Sequence, residues 1–217
     1  MDAIVMAAGE GRRLRPITER WPKPVLPVDG RPVIATLVRQ LTEEGLGPIT
    51  VVTGYLGEQV EALLAGFDLG YARQPSPEGS LDAVRRALEA GAALPTLVCA
   101  ADTVFSPGDL AAVARAEGDG AIAVREDARK ARVELADGLV RQVVSTDWTL
   151  RLSSAPLWLL TERVDLDNLP GPPYELAAAF QRAIHAGKRI AAVEIGPTRD
   201  LTEPADLVLE NFPYLEG

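Results

Sequence analysis

Short apolar runs that alternate with helical patterns constrain the fold of this chain more than any other feature. The runs lie at residues 4–8, 49–53, 97–101, 121–124 and 190–195. Runs without regular polar alternation are typical of strands buried on both faces of a parallel sheet. Between them, apolar residues recur at helical spacing, as in the stripe from Ile34 to Leu41. The alternation predicts an α/β protein with a doubly wound, mostly parallel sheet that binds ligands at the carboxyl ends of its strands.

The segment from Arg132 to Trp158 departs from this alternation. Residues 133–135 and 139–140 flank Asp137-Gly138, a dipeptide that favours the two-residue turn of a β-hairpin. The segment therefore predicts a small antiparallel insertion.

Helix starts are predicted from capping residues. Ser106-Pro107 combines an N-cap residue with a proline at the first helical position. Pro173 is expected to begin a later helix, and Thr202 is expected to cap the last one.

Composition and charge limit the class of protein. The 217 residues suit a single domain, and the net charge of −9 argues against general binding of nucleic acid. No apolar run approaches the roughly 18 residues that a membrane span needs, and the N-terminus lacks the regions of a signal peptide. The single cysteine, Cys99, excludes a disulfide framework. We therefore expect a cytoplasmic protein without a membrane or nucleic-acid partner.

A glycine turn, Gly9-Glu10-Gly11, follows the first apolar run directly. Between Glu10 and Lys23 five basic side chains face two acidic ones. Glycine allows a close approach of the backbone to an anion, and nearby guanidinium and ammonium groups neutralise phosphate oxygens. The turn does not match the Walker loop, because Arg12 follows Gly11 where that motif has a lysine. It does not match the dinucleotide fingerprint, because Leu14 stands where the third glycine is required. The turn predicts a different kind of polyphosphate site.

The segment 7–32 resembles the signature of the sugar-nucleotidyltransferases (nucleoside-diphosphate-sugar pyrophosphorylases), G-x-G-x-R-L-x-P-[LI]-T followed by P-K-P-x-x-P-V. The matching positions are Gly9, Gly11, Arg13, Leu14, Pro16, Ile17, Thr18, Pro22, Lys23, Pro24, Pro27 and Val28. The resemblance implies a Rossmann-like fold of the nucleotide-diphospho-sugar transferase type. Within one domain, 1–217, it implies a nucleotide-binding half at about 1–125 and an acceptor-binding half at about 126–217.

The same resemblance implies roles for the residues of the turn. Arg13 and Lys23 are expected to be catalytic, with Lys23 at the α-phosphate and Arg13 at the pyrophosphate. The residues expected to bind the nucleotide here are Ala7, Ala8, Gly9, Glu10, Gly11 and Arg12.

Asp102 follows the apolar run 97–101, at the tip of a predicted buried strand. Hard carboxylate oxygens suit Mg²⁺, but on position alone this residue is equally well a solvated aspartate in a loop. The resemblance implies that Asp102 binds the metal. Residues 200–207 resemble the family pattern D-[IL]-G-T-P-x-D-L, with Thr202 and Glu203 in place of Gly-Thr, which implies Asp200 as the second ligand of Mg²⁺.

Residues 74–80 resemble the family sequence Q-x-x-P-x-G-[TS], which borders the nucleobase pocket. The positions that match are Gln74, Pro77, Gly79 and Ser80. A side-chain amide offers a donor and an acceptor to a base edge, and glycine allows the backbone to approach the ring. Without the resemblance, these residues would be a loop with an N-cap before a helix.

The acceptor half departs from the family pattern. Family members usually carry an E-K-P sequence after the hairpin, whose lysine holds the sugar phosphate, whereas residues 143–148 contain no lysine. The resemblance still implies transfer of an NMP from an NTP to a small phosphorylated acceptor, with a sugar 1-phosphate favoured. A homo-oligomer is compatible with these observations.

Two alternatives remain open from the sequence. One is a CTP-dependent cytidylyltransferase for a phospho-alcohol such as phosphocholine, in which Trp148 and Trp158 form an aromatic cage for a quaternary ammonium. The other is a non-catalytic nucleotide-binding regulatory module. The joint presence of Arg13, Lys23, Asp102 and Asp200 argues against the second alternative.

Overall fold

The computed structural model describes residues 1–127, 129–167 and 169–212. The strands are β1 (Asp2–Ala7), β2 (Pro27–Val28), β3 (Arg31–Pro32), β4 (Ile49–Thr53), β5 (Gly70–Arg73), β6 (Thr96–Ala100), β7 (Thr103–Val104), β8 (Gly120–Glu126), β9 (Arg132–Ala136), β10 (Leu139–Ser145), β11 (Leu152–Leu160), β12 (Ile190–Glu194) and β13 (Arg199–Asp200). The helices are α1 (Val33–Glu43), α2 (Gly57–Leu63), α3 (Ser80–Glu89), α4 (Asp109–Ala114), α5 (Leu176–His185) and α6 (Pro204–Leu209).

The main sheet is mixed. Within the described residues its nine strands follow the order β5-β4-β1-β6-β11-β8-β12-β10-β9. The pairs β4–β5, β1–β4, β1–β6 and β8–β12 are parallel. The pairs β6–β11, β11–β8, β12–β10 and β10–β9 are antiparallel. The α/β class is as expected, but the prediction of a mostly parallel sheet is wrong.

The expected antiparallel insertion is part of this sheet rather than a separate unit. The hairpin β9–β10 forms as predicted, and both central residues of its turn, Asp137 and Gly138, have positive φ. Its strand β10 also pairs with β12, and β11 enters the sheet antiparallel between β6 and β8. The sheet is mixed because β11 separates its two parallel parts.

Successive side chains of each strand point to opposite faces of the sheet. Both faces of this sheet carry apolar side chains, and helices cover both. Val5 packs on the face that α1, α2 and α4 cover, whereas Ile4 packs on the face of α3 and α5. None of the helices in the described ranges is both long and apolar enough to cross a membrane.

Three predicted helix starts are wrong. The fourth helix begins at Asp109, whose carboxylate accepts a hydrogen bond from the Ser106 amide at 3.1 Å. The fifth begins at Leu176, and Pro173 lies in the segment before it. The last helix is capped by Glu203 rather than Thr202, because Asp206 completes a capping box with Glu203.

A small apolar cluster lies apart from the two large ones. Its buried members are Leu14, Leu26, Val28, Val33 and Leu201. These residues come from the segment after the glycine turn, from the segment that follows Lys23, from the start of α1 and from the position directly after β13. The cluster therefore packs three segments that carry predicted site residues against one another.

Phe180 of α5 is fully buried, and we expect the change Phe180→Ala to lower the free energy of unfolding by about 3–5 kcal/mol. Urea denaturation measures this loss. The control is Val144→Ala, since Val144 is 53% exposed and its loss should cost no more than about 0.5 kcal/mol. Equal effects of the two changes would contradict the assignment of Phe180 to the core.

Candidate active site

The glycine turn is folded against the segment that carries Lys23. Gly11 has φ +62°, and its carbonyl accepts hydrogen bonds from the Leu14 amide at 2.9 Å and from the Thr18 hydroxyl at 3.0 Å. A Cβ at Gly11 would lie 3.1 Å from the Cβ of Lys23. At Gly9 a Cβ would meet nothing within 4 Å, so the backbone there faces open space. The turn leaves room for a ligand at its first glycine and is packed tightly at its second.

Lys23 forms an ion pair with Asp102, which lies 79 residues further along the chain. The two side chains are partly buried, and the Thr103 hydroxyl donates to the other oxygen of Asp102 at 3.2 Å. The glycine turn follows β1, and Asp102 follows β6. These two strands are parallel neighbours, with Met6 opposite Ala100. Their carboxyl ends therefore lie side by side at one edge of the sheet.

Asp200 reaches the same edge through the ladder between β7 and β13, in which it pairs with Thr103. Its carboxylate is buried, with one oxygen 3.0 Å from Nη2 of Arg125 and the other 2.9 Å from the hydroxyl of Thr202. Arg125 also donates to Asp127 at 2.8 Å. The ladder thus brings the second predicted metal ligand beside the first.

One cavity of about 260 Å³ brings together Arg13, Lys23, Asp102 and Asp200. Its other lining residues are Ala100, Thr103, Arg125, Lys130, Ser154, Ala155, Pro156, Trp158 and Thr202. We call it the central cavity. A second cavity of about 240 Å³, the turn cavity, shares Arg13, Lys23 and Thr202 with it and extends to Gly11. The residues predicted from four separate parts of the sequence therefore meet at one place.

Arg125 and Lys130 were missed by the sequence analysis. Both belong to the charged run that directly follows the apolar run 121–124. A run of charges after a predicted buried strand is the sequence signal that could have identified them. By itself, however, such a run does not show which charges face a cavity.

A third cavity, of about 310 Å³, contains the residues predicted to border the nucleobase. Its lining residues are Met6, Ala8, Gly9, Gln74, Pro77, Gly79, Ser80, Ala83, Pro173 and Glu175. We call it the Gln74 cavity. Nε2 of Gln74 donates to the Gly79 carbonyl at 3.0 Å and to Asp82 at 2.9 Å. Because both partners are acceptors, they fix the orientation of the amide and leave its oxygen as the group that can accept from a ligand.

Gly79 and Ser80 have structural partners in the segment before α5. A Cβ at Gly79, which has φ +108°, would collide with the carbonyl oxygen of Tyr174. The hydroxyl of Ser80 donates to Glu175 at 2.6 Å and accepts from the Leu176 amide at 2.8 Å. The group that approaches Gly79 in this structure is therefore a peptide of the chain itself. Contact of either residue with a nucleotide stays a prediction.

The remaining residues of the turn differ in exposure. Ala7 and Ala8 are buried at the end of β1, where the Ala8 carbonyl accepts from the Tyr55 amide at 3.2 Å. Nε of Arg12 lies 2.7 Å from Glu10, and this hydrogen bond lowers the pKa of Glu10. Arg12 lines the turn cavity with its charge balanced by Glu10, and its contact with the nucleotide stays a prediction.

The structure does not form the two-tryptophan cage. Trp158 lines the central cavity. Trp148 is 62% exposed, and its ring lies over the guanidinium of Arg132, with 5.3 Å between the guanidinium carbon and the ring centroid. Since a cation of the chain already occupies that face of Trp148, the pair does not enclose a quaternary ammonium here.

The pKa of Asp127 reports on the charged network behind the central cavity. Burial by itself would raise this pKa, but the hydrogen bond from the Arg129 amide at 3.0 Å and the charge of Arg125 outweigh it and keep the pKa below its ordinary value. Because the folded-state pKa is depressed, the stabilisation is present above the unfolded-state pKa of about 4 and is lost as the pH falls through the folded-state value.

We therefore expect the melting temperatures of the wild type and Asp127→Asn to differ most near neutral pH and to converge as the pH falls towards about 3. Thermal denaturation across this range measures the difference. Asp68→Asn, in an exposed loop, is the control and should follow the wild type throughout. A difference in melting temperature between the wild type and Asp127→Asn that stays constant with pH would contradict a depressed pKa of Asp127.

Comparisons with known proteins show which sequences and folds this chain resembles. The sequence pattern of the family described as "MobA-like NTP transferase domain" matches residues 3–192. The chain is 36% identical over 85 residues to N-acetylmuramate alpha-1-phosphate uridylyltransferase of Neisseria meningitidis, which is 38% of this chain and 37% of the relative. It is 33% identical over 178 residues to CMP-5′-(3-aminopropyl)phosphonate synthase of Streptomyces rubellomurinus, which is 74% of this chain and 28% of the relative.

The chain thus spans well under half the length of these two relatives. Among solved structures, the inositol-1-phosphate CTP transferase from T. maritima superposes with a TM-score of 0.83 at 21% identity. The match covers 99% of this chain and 93% of that one, and it shows a shared fold.

Proposed function

Because the chain belongs to the family of MobA-like NTP transferase domains, we propose that it is a nucleotidyltransferase of the cytoplasm. It transfers an NMP from an NTP to a phosphate oxygen of a small acceptor, most favourably a sugar 1-phosphate, and releases pyrophosphate. The observation that carries this proposal is the meeting of Arg13, Lys23, Asp102 and Asp200 in the central cavity beside the glycine turn.

The positions of the three cavities support a path for the NTP. Gly9 lines the Gln74 cavity, Gly11 lines the turn cavity, and Arg13 and Lys23 line both the turn cavity and the central cavity. A nucleotide with its base near Gln74 would direct its phosphates along the turn towards the central cavity. The acceptor would enter the central cavity, where its phosphate meets the α-phosphate.

The chemistry requires neutralisation of charge more than proton transfer. The attacking phosphate oxygen is already an anion, so no strong base is needed, and the difficulty is to bring two polyanions together. Lys23 would stabilise charge on the α-phosphate oxygens, and Arg13 would hold the departing pyrophosphate. His185, the only histidine, lies on exposed α5 surface and lines none of these three cavities.

Asp102 and Asp200 fit Mg²⁺ as a donor set. They are hard carboxylates in one cavity, while no group of three or more His, Cys, Asp or Glu side chains in the described part of the chain would hold a metal by itself. Mg²⁺ commonly takes one or two carboxylates and completes its shell with water and substrate phosphates. We propose that these two residues hold Mg²⁺, which when bound adds positive charge at the phosphoryl oxygens.

A phospho-alcohol acceptor with CTP as donor is the second candidate. The relative from Neisseria meningitidis is named for uridylyl transfer to a sugar phosphate, and the relative from Streptomyces rubellomurinus for synthesis of a CMP-phosphonate. The solved structure from T. maritima is named for CTP transfer with inositol 1-phosphate. The roles proposed for the four charged residues concern the triphosphate and Mg²⁺, and they do not depend on which of these acceptors is used. The acceptor must therefore be identified by assay.

Release of pyrophosphate over a matrix of NTPs and acceptors, with Mg²⁺ present, tests the proposal. The acceptors are sugar 1-phosphates, inositol 1-phosphate, phosphocholine and 2-aminoethylphosphonate. We expect release with at least one pair and none without an acceptor. Nucleotide binding without turnover on any pair would instead favour the non-catalytic module.

We expect Lys23→Met and Asp102→Asn each to lower kcat by roughly 10²-fold or more, the scale of losing one electrostatic stabiliser. The matched controls are Lys188→Met, in the loop between α5 and β12, and Asp68→Asn, and both should retain wild-type turnover. Wild-type kcat in either site variant would remove that residue from the proposed mechanism.

A further inference from the structure

We propose that Lys130 binds the phosphate group of the acceptor and so helps to determine which acceptors are used. This inference rests on the proposed nucleotidyltransferase activity. It concerns a residue to which neither the sequence patterns nor the comparisons give a role.

The charges of the central cavity are unevenly paired. Its wall carries two carboxylates, Asp102 and Asp200, and four cationic side chains, Arg13, Lys23, Arg125 and Lys130. Lys23 is paired with Asp102, and Arg125 is paired with Asp200 and Asp127. The ion pairs found among residues 1–127, 129–167 and 169–212 include neither Arg13 nor Lys130. Arg13 and Lys130 are therefore positive charges beside the cavity that a bound anion can neutralise.

These two cations lie on different parts of the wall. Arg13 belongs also to the turn cavity, which is the proposed place of the NTP phosphates. Lys130 lines the central cavity but not the turn cavity, and it comes from the loop after β8. Lys23 lines the turn cavity as well, so the NTP takes Arg13 and Lys23, while Arg125 is held by Asp127 and Asp200. Lys130 is the cation of this wall that remains for the acceptor.

The backbone of Lys130 is held in place while its ammonium group stays available. Its amide donates to the Asp127 carbonyl at 3.3 Å, and its own carbonyl accepts from the Ser153 hydroxyl at 3.4 Å. The Asp127 carbonyl also accepts from Ser153 at 3.0 Å and from Nη1 of Arg132 at 2.7 Å. A fixed backbone reduces the freedom that the side chain loses when it binds a ligand.

The size of the cavity agrees with a small acceptor. Its volume of about 260 Å³ lies below the roughly 300–1,000 Å³ typical of pockets for drug-sized ligands. Ser154, Thr202 and Trp158 line the same cavity as Lys130. A phosphate bound to Lys130 would leave these groups for the rest of the acceptor.

Steady-state kinetics of Lys130→Met with the acceptor found in the matrix tests this inference. We expect the KM of the acceptor to rise roughly 10-fold to 100-fold, the range of one charge-assisted hydrogen bond, while the KM of the NTP changes less than about 3-fold. Lys130→Arg should restore part of the loss, because it keeps the positive charge. Lys188→Met, the matched control, should behave as the wild type.

An unchanged KM of the acceptor in Lys130→Met, or an equal rise for acceptor and NTP, would overturn the inference. If the wild type turns over no acceptor, the proposed function fails by itself, and titration with inorganic phosphate followed by ³¹P NMR still tests Lys130. Weaker phosphate binding in Lys130→Met than in Lys188→Met would support the inference, and equal binding would refute it.

Discussion

The small apolar cluster of Leu14, Leu26, Val28, Val33 and Leu201 is the contact on which the candidate site depends. Leu14 follows Arg13, Leu26 lies three residues beyond Lys23, and Leu201 follows Asp200. Burial of these side chains fixes three segments whose charged residues would otherwise repel or seek solvent. Apolar packing is not directional, but each leucine sets the position of the charged residue next to it. Arg13, Lys23 and Asp200 are thus held in place by hydrophobic contacts of residues close to them in the chain.

Much of the fold was predictable, because its buried strands are nearly continuous apolar runs. The run 49–53 coincides with β4, and the others lie within one or two residues of β1, β6, β8 and β12. The strand β11 was not predicted, since Ser153, Ser154 and Pro156 interrupt its apolar pattern. Its place in the middle of the sheet depends on tertiary packing, which the hydrophobic periodicity of the sequence does not indicate. Without β11 the predicted sheet is mostly parallel.

The sequence predicts the site residues that stand at the fixed spacing of a motif. It does not predict those whose role depends on the charged partner that they meet in the folded chain. The sequence predicts Arg13, Lys23, Asp102 and Asp200 as site residues, and the structure brings them together. Their roles towards metal and substrate stay predictions. Arg125 and Lys130 are five residues apart in one charged run, yet one is buried against Asp200 and the other is unpaired in the cavity wall. That difference depends on which side chains lie beside each residue in the folded chain.

The central position of β11 has a consequence for how the chain reaches this fold during synthesis. Strands β6 and β8 are both complete by residue 126, but neither pairs with the other, and each lies beside β11. Until residues 152–160 leave the ribosome, the facing edges of β6 and β8 remain without their partner, and open edges invite pairing with other chains. A fragment that stops at residue 125 would keep this gap permanently. The sheet begun by the first 125 residues is therefore completed by a strand from the later part of the chain.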